Sequence, residues 1–235
     1  MAEQELEKKV EVLEKQLETM ADQMKNLQTL LDIEEIKNLQ KAYGWYLEHW
    51  MSREIIDCFS DSPDVIADFY PIGIWKGKEG VTRYFEREPD REFLHQIMQL
   101  SPIIHVSPDG KTAKGRWYGY GPIAMPMGGG VSELLHSGVY EMEYVKEDGI
   151  WKILKLSWRV NYIGTPGEGF VSPERVAAID PNYKPQMNKP DVALTGSSTR
   201  YPSGYIYPFH YTHPVTGKKT SENELNARLD FQVGK

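Results

Sequence analysis

The chain has 235 residues, 40% of them apolar, enough for one domain with a real core plus appendages. Its net charge is −7, and the basic residues are dispersed rather than gathered in a stripe, which argues against nucleic acid as a partner. No apolar run approaches the roughly 18 residues of a membrane span. The opening MAEQELEKKV has no apolar signal region, and the single cysteine, Cys58, excludes an internal disulfide. These features lead us to expect a soluble cytoplasmic protein with Cys58 as a buried structural thiol.

Residues 1–31 carry Leu6, Val10, Leu13, Leu17, Met20, Met24, Leu27 and Leu31 at 4-3 spacing, with Glu, Lys and Gln elsewhere. This is a heptad seam, which predicts a coiled-coil oligomerisation helix in a dimer or trimer. Residues 32–163 read as one α+β domain. Asp32 is the expected N-cap of an amphipathic helix, "DIEEIKNLQKAYGWYLEHW". A short helix "SREIIDCFS", short strands in "DVIADFY" and "IGIW", and a third helix "GKEGVTRYFERE" follow. Four long strand-like runs close the domain: "LHQIMQLSPIIHV", "KTAKGRWYGYGPI", "LLHSGVYEMEYV" and "IWKILKLSWRVNY". "SPDGK" and "KEDG" mark turns between them, and "MGGGV" reads as a further turn. Helices followed by a meander of strands imply a curved antiparallel sheet with helices on one face. Residues 164–235 are rich in Pro, Gly, Tyr, Asn and Ser. Their aromatics, as in "YIYPFHYTHPVTG", predict an ordered irregular arm rather than plain disorder.

Trp45, Tyr46, Trp50, Trp117, Tyr118 and Tyr140 supply flat apolar surfaces. Such residues suit the walls of a cavity for a ring-bearing small molecule, and each is equally at home in an ordinary core. The six histidines show no HxH or HxxxH spacing, so no metal site is expected. No dinucleotide, P-loop or nucleophile-elbow motif is present, and no cofactor is expected.

Three motifs, "YGWYLEHW", "LHQ" ahead of a strand and "GRWY", resemble those of the SnoaL-like branch of the NTF2-like superfamily. Within that branch the likeness is to the bile-acid 7α-dehydratase type and, more distantly, to scytalone dehydratase. It spans roughly residues 5–163 and leaves out the tail. The resemblance implies a cone-shaped α+β fold. Tyr43 and Glu48 fall where the family places a Tyr and, five residues on, an Asp; Phe59 matches an apolar anchor. His95 matches the catalytic His. Its spacing to Pro102 is two residues longer than in the family, which preserves strand parity and keeps His95 facing the cone. The Asp that pairs with this His in the bile-acid type is replaced by Gly121. Arg159 lies nearest the family Arg but one residue early, which turns it to the other face unless a bulge intervenes. His136 stands at a family Gly, on the same strand face as Gly138, Tyr140 and Met142, and offers a second polar partner.

An elimination needs a base for the proton and an acid for the leaving group, and imidazole serves both near neutrality. The expected catalytic set is therefore His95, with Glu48 orienting it, Tyr43 holding an oxyanion, and His136 and Arg159 in support. Arg116 alternates with Trp117 and is expected outward. The implied activity is a cofactor-independent lyase that removes water, or another small group such as formaldehyde, from a hydroxylated aromatic or polycyclic molecule. An isomerase on the same scaffold and a non-catalytic binding module are the alternatives.

Overall fold

The computed structural model describes residues 2–70, 72–90, 93–127, 130–164 and 212–228. Helix α1 (Ala2–Glu48) is followed by α2 (Ser52–Asp57), β1 (Ile66–Tyr70), β2 (Gly73–Lys76) and α3 (Gly77–Phe85). Then come β3 (Leu94–His95), β4 (Met98–Val106), β5 (Thr112–Met127), β6 (Gly130–Glu147) and β7 (Ile150–Gly164). Helix α4 (Glu222–Arg228) belongs to the C-terminal segment. Of the expected arm, residues 165–211 and 229–235 lie outside the described residues, as do residues 128–129 of the "MGGGV" turn.

The strands form a single sheet in the order β2-β1-β7-β6-β5-β3, with β4 also paired to β5. All pairs are antiparallel except β1 with β7, which run parallel, so the sheet is mixed at one strand. Strict alternation sets the faces. On β5, Ala113, Gly115, Trp117, Gly119 and Gly121 are buried, while Thr112, Lys114, Arg116 and Tyr118 are exposed. Register shifts between Leu100 and Ile103, Ser137 and Gly138, and Glu143 and Tyr144 curl the sheet around α1.

The concave face is filled with aromatic side chains. Tyr43 meets Phe59 and Phe85 edge to face at 6.1 Å each, and Tyr140 at 6.4 Å. A relay of buried hydrogen bonds pins α1 to the sheet. Trp117 Nε1 donates to the Tyr144 hydroxyl (3.0 Å), which donates to Gln40 Oε1 (2.8 Å), and Gln40 Nε2 donates to Gln99 Oε1 (2.8 Å). Each donor here would cost about 1–3 kcal/mol if left unpaired.

Asp32 is not an N-cap. The 47-residue α1 runs straight through it, because the preceding turns are made of good helix formers. Its carboxylate, 2% exposed, accepts instead from Lys146 Nζ (2.5 Å) and Trp151 Nε1 (3.1 Å). Burial thus selects Asp32 for a distant partner rather than for a helix end.

The C-terminal segment docks through His213, which is 2% exposed and stacks on Tyr46 at 5.3 Å. Its Nδ1 accepts from the backbone N–H of Val215 (3.1 Å) and Thr216 (3.3 Å), so Nε2 carries the proton and donates to the Glu54 carbonyl (2.7 Å). Glu54 Oε1 in turn accepts from Ser221 N (2.9 Å). Replacing His213 by Ala strips two amides of their acceptor and removes the ring stack, for an expected loss of about 2–4 kcal/mol. Denaturant unfolding checks this; a loss below about 1 kcal/mol would show that Val215 and Leu225 hold the segment without it.

Candidate active site

The register of β3 against β5, His95 with Ile123, continues unbroken through Met98 with Tyr120 to Leu100 with Tyr118. β3 and β4 are thus one interrupted strand, and His95, Ile97 and Gln99 share the face turned to α1. A one-residue bulge follows between Leu100 and Ile103, where Ser101 takes φ 48°, so the inner face passes from odd to even positions only downstream of His95. On β6, His136 pairs with Gly121 and shares the inner face with Gly138, Tyr140 and Met142.

Trp50 completes this corner. It follows the end of α1 with φ 49°, a left-handed conformation that costs a non-glycine residue about 1–3 kcal/mol and often marks a site. Its ring lies 5.1 Å from that of His95 and 5.7 Å from that of Phe93, and the Arg87 guanidinium caps it at 3.7 Å. His95 Nδ1, His136 Nε2 and Trp50 Nε1 are sealed from water and have no hydrogen-bond partner among the described residues. Burial lowers the His95 pKa to about 4, helped by the nearby charges of His136 and Arg87. Burial lowers that of His136 as well. Both rings are therefore neutral at pH 7, unprotonated but weakened as bases by the same burial.

The other expected residues lie elsewhere. Glu48 is turned to the far side of β3, where it accepts from Gln96 Nε2 (3.1 Å), and burial raises its pKa. No carboxylate–histidine pair forms between Glu48 and His95. Tyr43 is fully buried in the aromatic core, and burial, with the Tyr140 phenol beside it, raises its pKa far above the usual range. Tyr140 and Trp117 are core residues too, and Tyr46 is covered by His213. Trp45 and Tyr118 point outward, 52% and 56% exposed. Arg159 pairs with Val139 on the outer face and binds Asp68 through Nη1 (3.0 Å); the nearby bulges in β7 do not turn it inward. Arg116 is outward, in an ion pair with Glu141.

A side chain at position 121 is sterically excluded. A Cβ on Gly121 would lie 1.6 Å from the Gln96 carbonyl oxygen, because the irregular link between β3 and β4 folds over that spot. Sequence reasoning also passed over Arg87, Phe93 and His49. Arg87 falls in the run "GKEGVTRYFERE" expected as the third helix, but α3 ends at Phe85 and leaves Arg87 just beyond it. His49, adjacent to Glu48 and Trp50, has its pKa lowered to about 4 by burial. A cavity of about 580 Å³ opens beside Trp50 and Arg87, with Met51, Glu54 and Leu225 among its walls. That volume falls within the usual range for small-molecule sites. A smaller groove of about 250 Å³ lies over Trp45, Glu48 and Gln96. Among the described residues no group of three or more metal-ligating side chains comes together, and no helix is long and apolar enough to cross a membrane.

No curated protein matches the chain by sequence. Among solved structures, hexachlorocyclohexane dehydrochlorinase LinA-type3 from Novosphingobium barchaimii LL02 superposes with a TM-score of 0.50 at 23% identity, over 63% of this chain and 99% of that one. A protein assigned as a scytalone dehydratase from Novosphingobium aromaticivorans DSM 12444 gives a TM-score of 0.51 at 17% identity, over 60% and 91%. At these identities the likeness establishes the fold. The model of the SnoaL-like domain matches residues 28–157, over half of the chain, and with the curled sheet closed over α1 it shows that this protein belongs to the SnoaL-like family of the NTF2-like superfamily.

Proposed function

We propose that this protein is a cofactor-independent lyase. It eliminates water, or another small group such as formaldehyde, from a hydroxylated aromatic or polycyclic molecule. The observation that carries the reading is the pair of neutral histidines: His95, its ring 5.1 Å from that of Trp50, and His136 near it, each with a sealed ring nitrogen that has no partner among the described residues. For loss of water, His95 takes the proton from the carbon next to the one bearing oxygen. The C–H electrons become the new double bond, the C–O bond breaks, and the imidazolium returns its proton to the departing oxygen. His136 holds that oxygen by a hydrogen bond. Trp50, packed between Arg87 and the rings of His95 and Phe93, joins the histidine to the wall of the adjoining 580 Å³ cavity, where the substrate ring would sit. The dehydrochlorinase and dehydratase names of the structural neighbours agree with an elimination. We place the enzyme in the cytoplasm.

The test is a panel of hydroxylated aromatic and polycyclic compounds incubated with the purified full chain and followed by mass spectrometry. Products lighter by water or formaldehyde support the lyase. A product of unchanged mass but altered double-bond position means an isomerase. Binding without turnover of any compound leaves a binding module.

A further inference from the structure

The apolar seam of α1 is bare in the single chain: from Leu6 to Leu31 its members are 47–69% exposed. It is distinct from the stripe that enters the domain. Ile36, the first fully buried apolar residue of the helix, follows Leu31 by five residues, about 140° around the helix axis. The domain therefore hangs on one side of α1 and leaves the seam free on another.

The apolar run stops at Leu31. Beyond it the a positions are Asn38 and Trp45 and the d positions Glu34 and Lys41, all exposed, and in a parallel pair Glu34 and Lys41 would each face its own like charge. An Asn at a fixes pairing and register in coiled coils. In a parallel, in-register pair, Lys9 at g faces Glu14 at e of the other helix, and no like charges oppose at the remaining g–e positions. At the far end, Trp45 walls the 250 Å³ groove together with Met98 and Leu100, which are 42% and 39% exposed.

We infer that the heptad face of α1, from Leu6 to Leu31, is the docking surface for a second copy of this chain in parallel register, and that Trp45, beyond the polar layers of Glu34 and Lys41, is a separate anchor at the domain end. The sequence pattern places Trp45 among ligand-binding aromatics; in the single chain it is exposed and lines the groove. The contact covers the groove in which Glu48 and Gln96 meet, next to the strand that carries His95, so assembly and the site share a wall. The inference does not depend on the lyase reading.

Light scattering on the full chain should give a mass of two or more chains. Leu13→Asp with Leu17→Asp, both exposed in the single chain, should yield a monomer that keeps the near-ultraviolet circular dichroism of the folded domain while losing part of the helical signal of α1. Leu17→Cys should form an interchain disulfide under mild oxidation, since Cys58 is buried and does not compete. Trp45→Ala should weaken self-association by about tenfold or more, the level of an interface hot spot. A monomeric wild-type chain, or an assembly untouched by the double Asp substitution, overturns the seam. Absence of the interchain disulfide in an intact assembly of the Leu17→Cys chain overturns the parallel register, and an unchanged dissociation constant for Trp45→Ala overturns the anchor.

Discussion

Replacing His95 with Ala is expected to lower kcat by about 10²–10⁴ on any compound the full chain is found to convert, the usual range for loss of a general acid–base group. His95→Gln should lose nearly as much, because an amide hydrogen-bonds but does not take up a proton near neutrality. KM should change little in both, as Trp50 and Phe93 keep their rings. The pH dependence carries a further signature. With its pKa lowered to about 4, His95 is an unprotonated base throughout the neutral range. Activity should stay level down to about pH 5 and fall only as pH drops through about 4, whereas an ordinary histidine would fail through about 6.5. Glu48→Gln should leave both the rate and the pH profile nearly unchanged, because its carboxylate is held by Gln96 and not by the imidazole. A fully active His95→Gln enzyme would move the proton chemistry to His136. A profile falling through about 6.5 would mean that His95 is solvated in the working enzyme.

Restoring a carboxylate at position 121 should damage the protein. Gly121→Asp recreates the residue that partners the histidine in the bile-acid type, yet even a Cβ there meets the Gln96 oxygen at 1.6 Å. The obstacle is backbone, which cannot swing away as a side chain tip would. To make room, the link between β3 and β4 must lift, taking His95 off its pairing with Ile123. Overpacking of well-packed sites costs about 1–3 kcal/mol and occasionally more; contact with backbone puts this case at the upper end or above. For a chain of this size that is roughly 2–4 °C of melting temperature per kcal/mol. Gly121→Ala should show most of the same loss, since the first added carbon makes the clash. If Gly121→Asp melts like the wild type and raises activity, the β3–β4 link is adjustable, and the carboxylate–histidine pair is recoverable.

The strands show what can be read without the fold. On β5 the alternation of Trp117 with Arg116 and Tyr118 already separates inner from outer face, because a strand's period of two is local. The same reasoning turned His136 inward and Arg159 outward. It could not say that Trp45 and Trp50, five residues apart on one segment, part company. Helical spacing locates a face but does not name what covers it.

The sequence by itself determined the periodic features: the heptad seam, the helix–strand order, the turns at "SPDGK" and "KEDG", and the family motifs around Tyr43, His95 and Trp117. Each arises from backbone geometry and near-neighbour contacts. Only the tertiary structure decided which groups meet. Asp32 left its capping role for Lys146 and Trp151 across more than a hundred residues. Glu48 went to Gln96 instead of His95, and Arg87 came out of a charged loop to cover Trp50. A polar group's partner is set by which distant atoms remain unsatisfied once the core has closed, and that choice is absent from any local pattern.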